Sequence, residues 1–155
     1  MRKNLLTIGI SLILFSSASN QSRALGIYSQ GKAPCRIEVD DAHISKTVLR
    51  SEGRLAVKVN ARSICDAPQQ GVRLTVEIYA LTRGKPRLLS TRSTNPLSKS
   101  SSGFKVTNKE TVHYCTSNKR ISYFGVAFAT AQVMGETVYA KRTRSPRITK
   151  LDCGA

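Results

Sequence analysis

Two histidines, four cysteines and nine carboxylates are the residues of this chain whose types could support acid–base, nucleophilic or metal chemistry. Acid–base catalysis needs two groups placed across a substrate, and a nucleophile site needs a base beside Ser or Cys. Asp41 and His43 are two residues apart, so on a strand their side chains would share a face and could orient a nucleophile. The plainer reading of His43 is a surface histidine in a solvated turn. His113 alternates with Val112 and Tyr114 as a strand-face residue. The sequence contains no G-x-S-x-G, no H-E-x-x-H and no Gly-rich phosphate loop. Residues 98–103, SKSSSG, are polar, with nothing beside them to activate a serine. Catalysis is therefore the weaker expectation, and no catalytic residue, metal or cofactor is assigned.

Cys35, Cys65, Cys115 and Cys153 are separated by 30, 50 and 38 residues, with no C-x-x-C pair. That spacing suits metal ligation poorly, whereas an even cysteine count in an exported chain predicts two disulfides. Of three possible pairings, Cys35–Cys153 with Cys65–Cys115 is the expected one. The first pair brackets the domain, and each member of the second ends a predicted strand.

Charge is the stronger lead. The chain carries 25 Lys and Arg against 9 Asp and Glu. Arg54, Lys58 and Arg62 share the polar side of an alternating run. Lys141, Arg142, Arg144, Arg147 and Lys150 fall within ten residues that contain no acid, and Arg83, Lys85, Arg87 and Arg92 form a third group. Arg54, Lys58, Arg62, Lys141, Arg142, Arg144 and Arg147 are the anion-binding candidates, because the planar guanidinium matches phosphate and carboxylate geometry. Tyr79, Tyr123 and Tyr139 would add stacking surfaces if exposed. The expected partner is an anionic envelope polymer, a glycan, a lipid head group or a protein. Nucleic acid is not expected, since no DNA- or RNA-binding signature accompanies the charge. The plain alternative is a solvated coat that maintains solubility and discourages edge-to-edge strand pairing.

The elements that must position these residues read as strands. Leu55, Val57, Val59, Ala61, Ser63 and Cys65 alternate with Ala56, Lys58, Asn60, Arg62 and Ile64, and Val72, Leu74, Val76, Ile78 and Ala80 repeat the pattern against Arg73, Thr75, Glu77 and Tyr79. Period two marks one buried and one wet face. Between the two runs, 66–71 (DAPQQG) reads as a turn. Weaker strands are expected at 36–46, with a bend at Asp40–Asp41, at 85–94 as an edge strand holding Pro86, at 104–115 broken at Asn108, and at 137–144. Residues 120–133 are apolar on both faces, as in a central strand, with Gly125 marking a close approach. Met134-Gly135-Glu136 reads as a turn, and no long helix is expected.

The first residues resemble a secretory leader. Arg2 and Lys3 precede an eleven-residue apolar stretch, 5–15 (LLTIGISLILF), which is shorter than the roughly 20 residues a membrane span needs. Cleavage is expected after Ala24, with Ala18 as the alternative. Removing 1–24 leaves twenty-two basic residues against nine acids, a net charge of +13, so the charge belongs to the domain and not to its leader. The expected organisation is a cleaved signal peptide at 1–24, a flexible lead-in at 25–34 and one domain at 35–155. The expected fold is all-β: an immunoglobulin-like antiparallel β-sandwich of seven to eight strands with two disulfides and no transmembrane segment in the mature chain. The function expected is that of a secreted or cell-envelope, non-catalytic module binding an anionic surface or partner. The alternatives are a secreted effector or small hydrolase with a cryptic site, and a structural envelope component that binds another protein.

Overall fold

A computed structural model describes residues 35–155. The expected leader and lead-in lie outside the described residues. Eight strands, one short α-helix and a single 3-10 turn follow in order: β1 (Cys35–Val39), β2 (His43–Ile44), α1 (Lys46–Glu52), β3 (Ala56–Thr82), β4 (Lys85–Ser93), the 3-10 turn (Lys99–Ser101), β5 (Gly103–Tyr114), β6 (Ser117–Val133), β7 (Glu136–Arg144) and β8 (Thr149–Gly154). Every pairing is antiparallel and all eight strands belong to one hydrogen-bonded sheet. Helix α1 buries none of its residues. It is held by its ends, where Ser45 Oγ accepts from Val48 N at 3.3 Å and Gly53, at φ 65°, donates to Leu49 O at 3.1 Å. Seven residues carry too little periodicity to show as a helix in sequence, and apart from Lys46, at the end of the strand expected at 36–46, no element is expected there.

The two alternating runs are not a hairpin. They are the halves of β3, which continues through 66–71 as a bend. Along β3 the register with β5 jumps from Ile64↔Lys105 to Gln69↔Gly103, so β3 carries the extra residues of a bulge. The bulge shifts the phase of alternation: Val57, Val59 and Ala61 point inward before it, and Val72, Leu74, Val76 and Ile78 after it. Gln69 fills the bend and is completely buried. Its Oε1 accepts from Ser63 Oγ at 2.7 Å, and its Nε2 donates to Ser63 O at 3.1 Å and Phe104 O at 3.3 Å. A buried amide without those partners would cost about 1–3 kcal/mol. Pro68 and Gly71 serve a bulge as readily as a turn, which is why the sequence pointed to a loop here.

Gln69 pairs with Gly103 on one edge of β3 and with Val133 on the other. One edge of β3 therefore carries β2, β1 and then β6, while the other carries β5 and then β4. Asn108, opposite Ala61 in the register, ties β5 to the start of the β3–β4 ladder. Its Nδ2 donates to Leu74 O at 3.1 Å and Arg92 O at 3.0 Å, and its Oδ1 accepts from Glu110 N at 3.1 Å. The expected break at Asn108 is thus an irregularity inside a continuous strand. β6 in turn takes β7 along 126–133 and β8 along 117–123. The turn expected at 134–136 joins β6 to β7, with Met134 at φ 52° and Gly135 at φ 84°, as a two-residue hairpin turn demands.

The sheet curls until its own inner faces meet. A Cβ added at Gly125 would run into Val59 and approach Val39 Cγ1 to 3.2 Å, so β6 lies directly on β1 and the first half of β3. This is the close approach expected at Gly125. Val57, Val59, Val72, Leu74, Val76, Ile78 and Val106 fill the space between. Tyr123 is fully buried among them, and its hydroxyl donates to Cys153 O.

Both disulfides form, but with a different pairing from the one expected: Cys35–Cys65 and Cys115–Cys153. Cys35 stands directly opposite Cys65 in the β1–β3 register. Cys115 leads into β6, whose first residue, Ser117, lies opposite Gly154. Each bond staples an end strand to its immediate neighbour in the sheet. The first and last strands are not tied to one another.

Candidate functional site

The Asp41–His43 pair does not form. His43 is exposed, and its Nδ1 lies 3.0 Å from the backbone oxygen of Asp41 rather than from its carboxylate. The carboxylate is taken by Arg147, whose backbone N donates to Oδ1 at 2.9 Å and whose Nε donates to Oδ2 at 2.7 Å. These bonds hold the Asp41 carboxyl below its ordinary pKa. They clamp the β7–β8 turn onto the β1–β2 turn, which is a structural task. His113 is half-buried and its Nε2 has no hydrogen-bond partner. Burial, and secondarily the positive charge of Arg87, push its pKa below the usual imidazole value. Among the described residues no group of three His, Cys, Asp or Glu lies close enough to hold a metal. A cavity of about 10 Å³ between Cys35, Ser63, Gln69, Ala129 and Val138 has room for one water at most.

The basic candidates separate into groups with different tasks. On the outer side of the first half of β3, Arg62 binds Asp40 and lies 3.6 Å from Glu38, while Arg36 binds Glu38 at 3.2 Å. Arg54 lies 4.2 Å over the ring of Tyr114, whose hydroxyl donates to Glu52 at 2.8 Å. Lys58 stands opposite His43 on one side and Val112 on the other. Acids therefore offset much of this first cluster. The third cluster is scattered along the β3–β4 hairpin, where Arg87 and Arg92 stand opposite the inward-facing Ala80 and Val76. In the 141–150 cluster Arg147 is committed to Asp41, while Lys141 is exposed with no ion pair among the described residues.

The remaining cations gather on the outer face of the second half of the sheet. Opposite residues of paired strands share a face, so the register places Tyr79 beside Phe124, Thr75 beside Phe128, Arg73 beside Thr130, Val126 beside Arg144 and Ser122 beside Lys150. Tyr79 and Phe124 stack with ring centroids 5.1 Å apart. The Arg144 guanidinium carbon lies over the Phe124 ring, 4.0 Å from its centroid, and that of Arg142 over Phe128 at 4.7 Å. Glu77, only 11% exposed at its side chain, binds Arg142 and accepts from the Tyr79 hydroxyl at 2.9 Å. Burial first, then the hydrogen bond to Glu77, raises the pKa of Tyr79. Arg120, also on this face, is 3.8 Å from Asp152. Arg73, Arg142, Arg144, Lys150 and Arg120 thus form a track along β6, all exposed.

Compared with known proteins, the chain matches no family model and no curated protein sequence. The site therefore has to be read from its own chemistry. Sequence reading found Arg142, Arg144 and Lys150 but placed them in a group with Arg147, which turns away to Asp41. It missed Arg73 and Arg120, and with them the aromatic floor of Tyr79, Phe124 and Phe128. The local signal was present in the alternation Arg120, Ser122, Phe124, Val126, Phe128, Thr130. The register that sets other strands' cations beside those positions was not. Of the three tyrosines considered for stacking, Tyr139 is 65% exposed, Tyr79 is half-buried and Tyr123 is fully buried.

Proposed function

We propose that this protein is an exported, non-catalytic module that binds an anionic partner through the outer face of β3, β6, β7 and β8. The observation that carries the proposal is the cation track. Five exposed Lys and Arg lie along one strand, and of the two acids beside them Glu77 is covered while Asp152 faces only Arg120. Residues 35–155 hold twenty-one Lys and Arg against nine acids. Only five of these, Arg36, Arg62, Arg120, Arg142 and Arg147, are ion-paired among the described residues. The summed field favours polyanions, and the aromatic floor gives that field a fixed geometry. Two disulfides, and the absence among the described residues of a helix long and apolar enough to cross a membrane, are compatible with an exported protein. Packing of β6 face to face on β1 and β3 supports reading the curled sheet as immunoglobulin-like. The alternative of a cryptic hydrolase draws no support from Asp41 and His43, which face different partners.

The test is retention of the oxidised chain on an immobilised sulfated polymer near physiological ionic strength, about 0.15 M, where exposed charges are screened beyond about 8 Å. The chain should be retained while a lysine-rich protein of equal net charge elutes. Co-elution of the two would make the charge a solvated coat and end the proposal.

A further inference from the structure

We infer that the track along β6 is shaped for a linear anionic polysaccharide carrying sulfate or phosphate groups, laid lengthwise on the strand. This rests on the anion-binding reading above and names its ligand. Along β6 the cations stand at the levels of Thr130 (Arg73), Phe128 (Arg142), Phe124 (Arg144), Ser122 (Lys150) and Arg120 itself. At about 3.3 Å per residue the file is about 33 Å long, and Arg142 to Arg144 spans about 13 Å measured at their rings. No level of β6 carries more than one of these cations. A long, narrow file of charge matches a chain and not a plane.

The side chains argue the same way. Arg144 and Arg142 sit over phenylalanine rings, and Arg142 also donates to Glu77 and the Tyr79 hydroxyl, so both guanidiniums are partly ordered in advance and less rotamer freedom is lost on binding. Ser122 and Thr130 put hydroxyls on the same face, and the exposed Tyr139 stands opposite Thr130. Those groups suit sugar hydroxyls and a sugar ring. A single-stranded nucleic acid would need a succession of open rings for base stacking, but Phe124 lies between Arg144 and Tyr79 and Phe128 lies beneath Arg142, which leaves Tyr139 as the one open ring beside the file among the described residues. A lipid surface would need apolar side chains projecting beside the cations. The most exposed ones, Leu97 at 92% and Met134 at 88%, stand instead in the β4–β5 loop and at the β6–β7 tip, beyond the end of the file.

Fluorescence anisotropy of the oxidised full chain would test this with size-graded heparin oligosaccharides, single-stranded DNA of matched length, and phosphatidylcholine vesicles with and without phosphatidylglycerol. Affinity should rise with oligosaccharide length until the sugar covers about 33 Å and then level off. Arg144→Gln with Lys150→Gln should weaken binding at least about tenfold and lower the slope of log Kd against log salt by about 1.4, at about 0.7 per lost contact. Lys46→Gln with Arg50→Gln, on α1, should change neither. Length-independent binding, an equal loss in the α1 variant, or preference for DNA or anionic vesicles overturns the track while leaving anion binding intact. Binding to none of the three probes overturns both readings.

Discussion

Arg142 and Arg144 are two residues apart on one strand and do different things. Arg142 neutralises Glu77, whose carboxylate is otherwise satisfied only by the Tyr79 hydroxyl in a nearly closed setting. Breaking a buried pair from one side leaves an uncompensated charge, while an exposed pair contributes little. Arg142 is half-exposed, so Arg142→Ala should cost an intermediate amount, about 1–3 kcal/mol. Arg144→Ala removes an exposed cation–π contact and should cost at most about 1 kcal/mol. Urea unfolding of both variants checks the difference, and equal losses would refute it. Arg142 is for this reason a poor probe of ligand binding and Arg144 a good one. His113 carries a pH dependence of its own. Burial depresses its folded pKa below 6.5, so as pH falls through that value the unfolded chain takes up a proton that the folded chain refuses. Stability is full above about pH 6.5 and declines below it. His113→Gln should flatten stability between pH 7 and pH 5, measured by denaturant titration at each pH. Asp41, depressed by Arg147, adds a loss of the same sign in a lower window, as pH falls through 3.8 and below.

At the scale of elements, the two disulfides are local staples. Closing 30 and 38 residues stabilises by about 4 kcal/mol each on the chain-entropy estimate, against a margin typically about 5–15 kcal/mol. Non-reduced peptide mapping should return Cys35 joined to Cys65 and Cys115 joined to Cys153. Cys35→Ser with Cys65→Ser should lower stability by about 4 kcal/mol and expose β1 to proteolysis before β8. A peptide joining Cys35 to Cys153 would contradict the fold. The bracketing pair looked attractive in sequence because chain ends often meet. Here each end strand instead finds a neighbour that also carries a cysteine. β3 shows the complementary lesson. Its two runs of period two were legible residue by residue, yet Pro68 and Gly71 have the same local conformational preferences in a bulge as in a turn. The choice rested on Gln69, whose amide is satisfied only because Ser63 and Phe104 lie on either side of the bend.

For the whole molecule, the properties that came from the sequence alone are those set by nearest neighbours and by totals. Alternation of apolar and polar residues determined that the chain folds as antiparallel β, because successive strand side chains point to opposite faces wherever the strand lies. Four cysteines without ligand spacing determined two disulfides, Gly125 determined a close approach, and Met134-Gly135 determined a hairpin turn. The excess of Lys and Arg determined a basic surface. Only the tertiary structure decided which cysteine meets which, that one strand bends where two were expected, and which cations share a face. Arg73, Arg120, Arg144 and Lys150 are separated by as many as 77 residues, and they align because three strands pair with β3 or β6 in particular registers. Register is settled by how the inner faces pack. A slip of one residue would turn every side chain of a strand to the other face, so burial of Val59 against Gly125 on the inside decides where the arginines stand on the outside.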